Sequence, residues 1–151
     1  PYLIHEDLQK SMQYNVGIIR TKKEIIDGVN TINNLKSQFK NVKAPGTSQF
    51  NPGWHEAIAL RNLLISSEAV AKSALLREES RGAHTREDFP DERKEWLEYN
   101  IINKKGKDGE METLKEKRNE PDTELNRIAN SSIEELEKEV KKDHNKLMSK
   151  V

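Results

Sequence analysis

A long helix predicted between Asn51 and Gly82 limits the folds that this chain can adopt. Asn51 can cap the helix, Pro52 suits its first position, and Glu56 lies in the positively charged first turn. No later residue interrupts the pattern before Gly82, which is suited to a left-handed stop. The predicted helix has about 27 residues and spans roughly 40 Å at about 1.5 Å per residue. A helix of this length must be packed by other elements.

The apolar residues of this helix are distributed over several of its sides. They are Trp54, Ala57, Ile58, Leu60, Leu63, Leu64, Ile65, Val70, Ala71, Ala74, Leu75 and Leu76. A helix with a single neighbour carries one apolar stripe, whereas this distribution indicates packing from more than one direction. We therefore expect a long central helix surrounded by other helices, with Leu64 as a core position.

Two shorter helices are predicted before the central one. The first carries apolar residues at helical spacing, namely Leu3, Leu8, Met12, Val16 and Ile19. Gly17 lies inside this helix or at its end. The second helix begins at Thr21, which can form a capping box with Glu24, and it ends among residues 40–43. Because the links are short, the sequence predicts a mainly α, up-down-up three-helix bundle over residues 1–98.

The composition of the chain bears on how this bundle is covered. Hydrophobic residues make up 33% of the chain and charged residues 34%, whereas average usage is about 45–50% apolar and about 25% charged. We therefore expect an elongated bundle with one under-filled face. The formal net charge of +0 gives no reason to expect nucleic acid as a partner, and without a long apolar run no direct membrane insertion is expected. The chain has no cysteine, so it has no disulfide and no thiolate metal site. It begins at Pro1 without an initiator methionine, which suggests a fragment of a larger protein.

A possible β-hairpin and a further C-terminal helix are predicted after the bundle. Aromatic and β-branched residues between Trp96 and Ile102 favour a strand, and residues 106–109 supply turn chemistry, so the hairpin and a linker occupy residues 99–121. Residues 122–151 form a C-terminal helical appendage, whose last helix begins with a capping box. The candidate capping residues are Ser131 or Ser132 with Glu134 or Glu135.

Residues 77–90, which we call the Arg/His loop, differ abruptly from the apolar helix before them. Guanidinium, carboxylate and imidazole groups are concentrated here, and arginine can bind a carboxylate or phosphate through two hydrogen bonds. A solvated charged loop is the alternative, since charged runs usually face water. The basic residues of interest are Arg77, Arg81, His84 and Arg86.

Motifs for catalysis and cofactor binding are absent from the sequence. It contains no Gly-x-Gly-x-x-Gly fingerprint, no phosphate-binding loop and no Gly-x-Ser-x-Gly elbow. The histidines, His5, His55, His84 and His144, lack the spacing that directs two imidazoles to one metal. We therefore predict no catalytic, cofactor-binding or metal-ligating residue in this chain, and we predict that each histidine is a surface or interface residue.

Several ordered motifs of the chain occur together in one known family. They are Asn15-Val16-Gly17-Ile18 with Arg20, Asn51-Pro52-Gly53-Trp54, Leu60-Arg61-Asn62-Leu63, Glu79-Ser80-Arg81-Gly82-Ala83-His84 and Arg86-Glu87-Asp88-Phe89-Pro90. Together they resemble the C-terminal helical domain of the flavoprotein subunit of succinate dehydrogenase and fumarate reductase. L-aspartate oxidase shares the Glu-Ser-Arg-Gly core. It usually has a bulkier residue in place of Ala83 and lacks the Arg86-Glu87-Asp88 run, which favours succinate and fumarate chemistry here.

The resemblance implies a division of labour within a larger parent protein. In this family an upstream Rossmann-type domain binds FAD, a capping domain completes the dicarboxylate site, and electrons pass to an iron–sulfur subunit. The present chain would be a helical support domain that docks on the upstream flavin and capping domains. The parent would be cytoplasmic or peripheral at the inner face of the plasma membrane through partner subunits. The chain alone is expected to be inactive and to bind no FAD.

The resemblance also suggests a role for the Arg/His loop in contacts between domains. Arg81 is the first candidate for such a contact, followed by His84 and then by Arg77 and Arg86. In the isolated chain Arg81 is expected to be exposed, with its carboxylate or carbonyl partner in the flavin domain. A freestanding helical protein-interaction module and the equivalent domain of L-aspartate oxidase are the alternatives. The Lys/Glu-rich final helix departs from the family pattern, which leaves a soluble or divergent relative open.

Overall fold

The computed structural model describes the backbone of residues 1–148 and the side chains of residues 1–142. It forms two compact units, Pro1–Lys117 and a second that begins at Arg118. Its elements are α1 (Tyr2–Asn15), β1 (Ile19–Arg20), α2 (Lys22–Phe39), α3 (Pro52–Leu76), β2 (Thr85–Arg86), a 3-10 helix (Lys94–Glu98), β3 (Tyr99–Lys105), β4 (Met111–Lys117), α4 (Thr123–Asn130) and α5 (Ile133–Met148). The predicted mainly α fold class is confirmed.

Helices α1, α2 and α3 pack around one hydrophobic core. The buried core residues are Leu8, Val16, Ile32, Leu35, Leu60, Leu64 and Ala71. Leu64 is 2% exposed, as predicted for a core position, and burying such a side chain stabilises the fold by about 1.5–3 kcal/mol. His5 near the start of α1 is hydrogen-bonded to Glu56 near the start of α3. These two helices therefore begin at the same end of the bundle, as an up-down-up order requires.

The predicted N-terminal caps of α2 and α3 are present. The Thr21 hydroxyl accepts a hydrogen bond from the Glu24 N–H at 3.3 Å, and the Glu24 carboxylate accepts one from the Thr21 N–H at 2.7 Å. This is the predicted capping box. At α3, Asn51 Oδ1 accepts the Trp54 N–H at 3.2 Å, and Pro52 occupies the first turn.

The end of α3 differs from the prediction. The helix stops at Leu76 because Arg77 has an extended backbone, with φ −82° and ψ 100°. Gly82 does have a left-handed backbone, with φ 58°, but it lies further along the chain in a turn between Arg81 and His84. Its predicted role as a helix stop was wrong, since its conformation turns the Arg/His loop.

A short parallel strand pair joins the α1–α2 connection to the Arg/His loop. Strand β1 pairs with β2, and Arg20 lies opposite Arg86. Gly17 lies just beyond the end of α1, where a Cβ atom would come within 2.7 Å of the Gln13 carbonyl oxygen. A side chain at this position would push the connection away from the helix. The close approach that glycine allows helps to direct the chain into β1.

The predicted hairpin is formed by β3 and β4, which pair antiparallel along their full length. Trp96 precedes the hairpin in the 3-10 helix and is buried. Two side-chain hydrogen bonds attach the hairpin to α3: Lys72 Nζ donates to the Met111 carbonyl at 2.9 Å, and Asn103 Nδ2 donates to Ser73 Oγ at 2.8 Å. The hairpin therefore belongs to the same unit as the bundle.

The second unit contains α4 and α5. Helix α4 lies within the predicted helical appendage, although a separate helix before the last one was not predicted. Asp122 caps α4 by accepting the N–H groups of Glu124 and Leu125 at 2.9 and 3.1 Å. Before α5, the Ser132 hydroxyl accepts the Glu135 N–H at 3.3 Å, and the Glu135 carboxylate accepts the Ser132 N–H at 2.9 Å. Of the alternatives left open by the sequence, the capping box thus uses Ser132 and Glu135.

One side of α3 is left uncovered, and we call it the outer face. Its exposed residues are Trp54, His55, Ile58, Ala59, Arg61, Asn62, Leu63, Ile65, Ser66 and Val70. Over residues 57–71 only Arg61 is both charged and exposed, although 34% of the whole chain is charged. Val70 is 50% exposed and Ile65 48%. The outer face corresponds to the under-filled face predicted from composition.

Candidate functional site

The Arg/His loop is closed by its own hydrogen bonds. The Arg81 N–H donates to the His84 carbonyl at 2.8 Å, and the His84 N–H donates to the Arg81 carbonyl at 3.1 Å. The Ser80 hydroxyl donates to the Phe89 carbonyl at 2.8 Å and accepts the Arg86 N–H at 2.8 Å. These bonds hold the backbone of the loop in one conformation.

Glu79 is the fully buried centre of one side-chain network. Its Oε1 accepts hydrogen bonds from Arg77 Nη2 at 2.6 Å and Nε at 2.9 Å. Its Oε2 accepts from Arg81 Nη2 at 3.1 Å and from the Arg93 backbone N–H at 2.9 Å. Burial alone would raise the pKa of Glu79, but the hydrogen bonds from Arg81, Arg93 and Arg77 outweigh burial and lower it to about 2. Glu79 is therefore ionised at neutral pH and positions both guanidinium groups.

Arg86 is the fully buried centre of a second network, and it satisfies the end of α3. Its Nη1 donates to the carbonyls of Ala74, Leu75 and Arg77 at 2.9, 3.3 and 3.2 Å. The last carbonyls of a helix have no partner within the helix. Nε and Nη2 donate to both carboxylate oxygens of Asp88, at 2.8 and 2.7 Å, and this pairing lowers the pKa of Asp88 to about 2.

His84 is hydrogen-bonded to the end of the same helix. Its Nε2 lies 3.1 Å from the Arg77 carbonyl oxygen, and because a carbonyl can only accept, Nε2 carries the proton. Burial lowers the pKa of His84, and the nearby charges of Arg20, Arg77 and Arg86 lower it further against the effect of this hydrogen bond. The imidazole is therefore neutral near pH 7.

Next to the loop, a cleft of about 630 Å³ opens between α3, β1 and β3. Arg20, Arg77 and His84 contribute to its wall, and none of the described residues that line it is acidic. Arg20 is 9% exposed, and its Nη1 donates to the Val16 carbonyl at 3.3 Å. Arg20 Nε and Trp96 Nε1 are buried without a hydrogen-bond acceptor. Burial, followed by the charge of Arg86, lowers the pKa of Arg20.

The structure brings the four predicted basic residues together at the end of α3. The expectation that Arg81 is exposed in the isolated chain was wrong, because its side chain is 27% exposed and is paired with Glu79. The Arg86 side chain is fully buried, so its hydrogen bonds are made within this chain. Contacts of Arg77, Arg81, His84 and Arg86 with another domain stay a prediction.

Glu79 and Arg20 are the site residues that sequence reasoning did not single out. A signal for Glu79 was present: it stands at alternate positions with Arg77 and Arg81, and alternate residues of an extended segment face the same side. Arg20 gave no comparable local signal. Its burial follows from the pairing of β1 with β2, which links residues far apart in the sequence.

The described residues do not suggest a metal or dinucleotide site. They contain no group of three or more His, Cys, Asp or Glu side chains that could hold a metal ion, and the side chain of His144 lies outside them. No described strand leads through a glycine-rich turn into a helix, which is the arrangement that binds dinucleotide phosphates. The described residues therefore form no dinucleotide-binding unit of this kind.

The described residues form a mainly α bundle with an uncovered outer face and an ordered basic loop at the end of α3. Residues 5–143 match the family described as fumarate reductase flavoprotein C-term. The chain belongs to this family, the C-terminal domain of succinate dehydrogenase and fumarate reductase flavoprotein subunits. Within the part of the chain that the structure describes, no helix has the length and apolarity needed to cross a membrane.

Curated relatives of the chain are much longer proteins. The chain is 38% identical over 105 residues to a fumarate reductase (CoM/CoB) subunit of Methanothermobacter marburgensis, covering 70% of this chain and 19% of that protein. It is 36% identical over 96 residues to the succinate dehydrogenase flavoprotein subunit of Rickettsia bellii, covering 62% of this chain and 16% of that protein. The chain thus spans about a fifth or less of the length of these relatives.

Solved structures contain the same fold. The Sdh1 complex of Mycobacterium smegmatis in the apo form matches with a TM-score of 0.75 at 42% identity, over 80% of this chain and 21% of that chain. Adenylylsulfate reductase from Archaeoglobus fulgidus matches with a TM-score of 0.65 at 20% identity, over 80% of this chain and 19% of that chain. The second likeness shows the fold alone, and it means that this fold is not restricted to proteins named for succinate or fumarate.

Proposed function

We propose that this chain is the C-terminal support domain of an FAD-dependent flavoprotein subunit that interconverts succinate and fumarate. The family match across residues 5–143 carries the proposal, and the relatives named for both reactions support it. FAD and the catalytic residues belong to upstream flavin and capping domains of the same polypeptide, and electrons pass to an iron–sulfur subunit. The assembled protein is cytoplasmic or held at the inner face of the plasma membrane by partner subunits.

The outer face of α3 is the main surface that docks on the flavin domain. Burying an unpaired charge is costly, whereas covering apolar side chains is favourable. Arg61 is the only exposed charged residue over residues 57–71, so a second domain can cover this side of the helix without displacing water from many ions. The cores of protein interfaces are similarly depleted of charged residues.

The Arg/His loop forms an edge of the docking surface. The side chains of Arg77 and Arg81 are 33% and 27% exposed, and both are held by the buried Glu79 carboxylate. Each guanidinium thus keeps part of its surface available to a carbonyl or carboxylate of the flavin domain. Arg86 acts indirectly, because it holds the loop on the end of α3.

Ile65→Asp in the full-length gene product tests this proposal. Ile65 is 48% exposed in this chain, so the substitution should leave the bundle folded, but it places a carboxylate in the docking surface. We expect the full-length variant to lose FAD on gel filtration and to melt at a lower temperature than the parent. Ile133→Asp is the matched control, because Ile133 is 77% exposed and lies in the second unit.

The upstream coding sequence and the properties of the full-length protein separate the proposed function from its alternative. The reading frame upstream of Pro1 should encode a dinucleotide-binding fingerprint, and the purified full-length protein should carry FAD and reduce a dye with succinate. If the frame encodes no such region, the chain is a freestanding interaction module. If FAD is present but Ile65→Asp behaves like Ile133→Asp, the outer face is not the docking surface.

A further inference from the structure

Arg20 is a buried cation that has no anion in the described chain. Its residue surface is 9% exposed, and its side chain makes one hydrogen bond to the described residues, from Nη1 to the Val16 carbonyl. Arg77, Arg81 and Arg86 all pair with carboxylates of this chain, whereas Arg20 forms no ion pair with any described residue. An uncompensated buried charge is strongly unfavourable, so an anion that reached the Arg20 guanidinium would stabilise the fold.

The cleft beside Arg20 is suited to a negatively charged group. Two buried donors without acceptors, Arg20 Nε and Trp96 Nε1, belong to residues of its wall. Arg77 adds a second positive charge, and His84 adds a neutral imidazole. No acidic residue is present among the described lining residues. A planar carboxylate is the group that a guanidinium binds with two parallel hydrogen bonds.

We propose that this cleft receives the carboxylate of an aspartate or glutamate from the flavin-bearing part of the same polypeptide, and that this carboxylate pairs with Arg20. The inference rests on the proposed function and specifies one contact within the docking surface. Arg20 thus acts as a positioning residue that anchors the connection between α1 and α2 to the flavin domain.

Continuity with the outer face favours a carboxylate from a protein segment over a free small anion. Ala69, Val70 and Ser73 line the cleft, and Val70 also belongs to the outer face. A domain that covers the outer face would therefore cover the mouth of the cleft as well. The volume of about 630 Å³ accommodates several side chains, and about four fifths of each curated relative lies outside the matched region.

Glu87 is an acidic residue close to Arg20 in the described part of the chain. Its N–H donates to the Arg20 carbonyl at 3.1 Å, so the two residues are neighbours. The side chain of Glu87 is nevertheless exposed, and it forms no ion pair with Arg20. The Glu87 side chain therefore leaves the cleft open beside Arg20.

Zero-length crosslinking of the full-length protein identifies the carboxylate. Arg20→Lys places a primary amine in the cleft, and a carbodiimide couples an amine only to a carboxylate in direct contact with it. Mass spectrometry should show position 20 joined to an aspartate or glutamate upstream of Pro1, at a yield at least severalfold above that of the unmodified protein. Coupling to Glu87, to a separate chain, or to no carboxylate would overturn the inference.

Arg20→Gln provides a second readout whose sign distinguishes anchoring from a purely structural role. In the 151-residue chain the substitution removes an unpaired buried charge, so the melting temperature should rise or stay unchanged. In the full-length protein the same substitution leaves the partner carboxylate unpaired, and FAD should dissociate roughly 30-fold faster or more, the effect typical of losing one member of a buried charge pair. Lys23→Gln on the exposed side of α2 removes one charge elsewhere and should change neither.

The outcomes separate this inference from the proposed function. A full-length protein without FAD would contradict both the proposed function and the inference. If the full-length protein carries FAD and Arg20→Gln and Lys23→Gln affect its dissociation equally, only the inference would be contradicted. Acetate, tested against chloride at the same ionic strength, should not stabilise the isolated chain through Arg20. Saturable stabilisation that disappears in Arg20→Gln would assign the cleft to a free anion instead.

Discussion

Replacing Arg86 by methionine should destabilise the first unit more than any other single change in the Arg/His loop. The Arg86 side chain donates five hydrogen bonds, three to carbonyls of α3 and its C-cap residue and two to the Asp88 carboxylate. Methionine fills part of the same buried space but leaves the carbonyls and the carboxylate without their donor. Removing one member of a buried ion pair costs about 3–5 kcal/mol. Because the Asp88 side chain is 30% exposed, water compensates in part, and we expect about 3 kcal/mol.

Urea unfolding of the 151-residue chain, followed by circular dichroism at pH 7, measures this loss of stability. Arg93→Met is the matched control, since the Arg93 contact with Glu79 is made by its backbone N–H and survives the substitution. It should cost below about 1 kcal/mol. Arg86→Lys should recover only a minor part of the loss, because an ammonium cannot reproduce the two-pronged pairing with Asp88.

A small loss of stability in Arg86→Met would contradict this reasoning. If Arg86→Met costs under about 1 kcal/mol, or no more than Arg93→Met, the buried guanidinium is not what holds the loop to α3. Combining Arg86→Met with Asp88→Asn measures the coupling between the two side chains. Strictly additive effects would show that their short contacts contribute nothing to the stability of the fold.

Three further predictions concern the core, the buried carboxylates and the absence of a cofactor site. Leu64→Ala should cost about 2–5 kcal/mol in urea unfolding, whereas Leu63→Ala, on the outer face, should cost about 1 kcal/mol or less. The pKa values of Glu79 and Asp88 are lowered to about 2 from 4.5 and 3.8, so their ionised forms stabilise the fold above about pH 4.5. The urea midpoint should therefore fall as the pH is lowered from about 4.5 towards 2. It should fall less steeply in the Glu79→Gln variant. The purified 151-residue chain should show no flavin absorbance and no dye reduction with succinate, and a stoichiometric flavin would contradict the proposed division of labour.

The helices of the bundle could be predicted because their signals are local. Each of two short-range pairs marks a helix start by its own chemistry: Thr21 with Glu24, three residues apart, and Asn51 with the adjacent Pro52. The end of α3 could not be located in the same way. The chain leaves the helix at Arg77, where the Arg86 side chain takes up the freed carbonyls, and that contact depends on how the whole loop folds.

The interior of the candidate site was predictable only in part. The concentration of basic residues in the Arg/His loop indicated hydrogen-bonded networks, but composition does not show whether a partner carboxylate lies in the same chain. Glu79 fills that role for Arg81. For Arg20 the described chain provides no carboxylate, and its burial arises from strand pairing across residues 20 and 86, which no short sequence pattern reveals.

The two networks of the Arg/His loop also bear on the order in which the protein folds. Every hydrogen-bond partner of the Glu79 and Arg86 side chains lies between Ala74 and Arg93, so these contacts close only short segments of chain. Short closures carry little entropic cost and tend to form early. The Asp88 carboxylate, by contrast, also accepts the N–H of Lys22, 66 positions away, at 3.1 Å. The end of α3 should therefore assemble as a local nucleus, onto which the start of α2 docks in a later step.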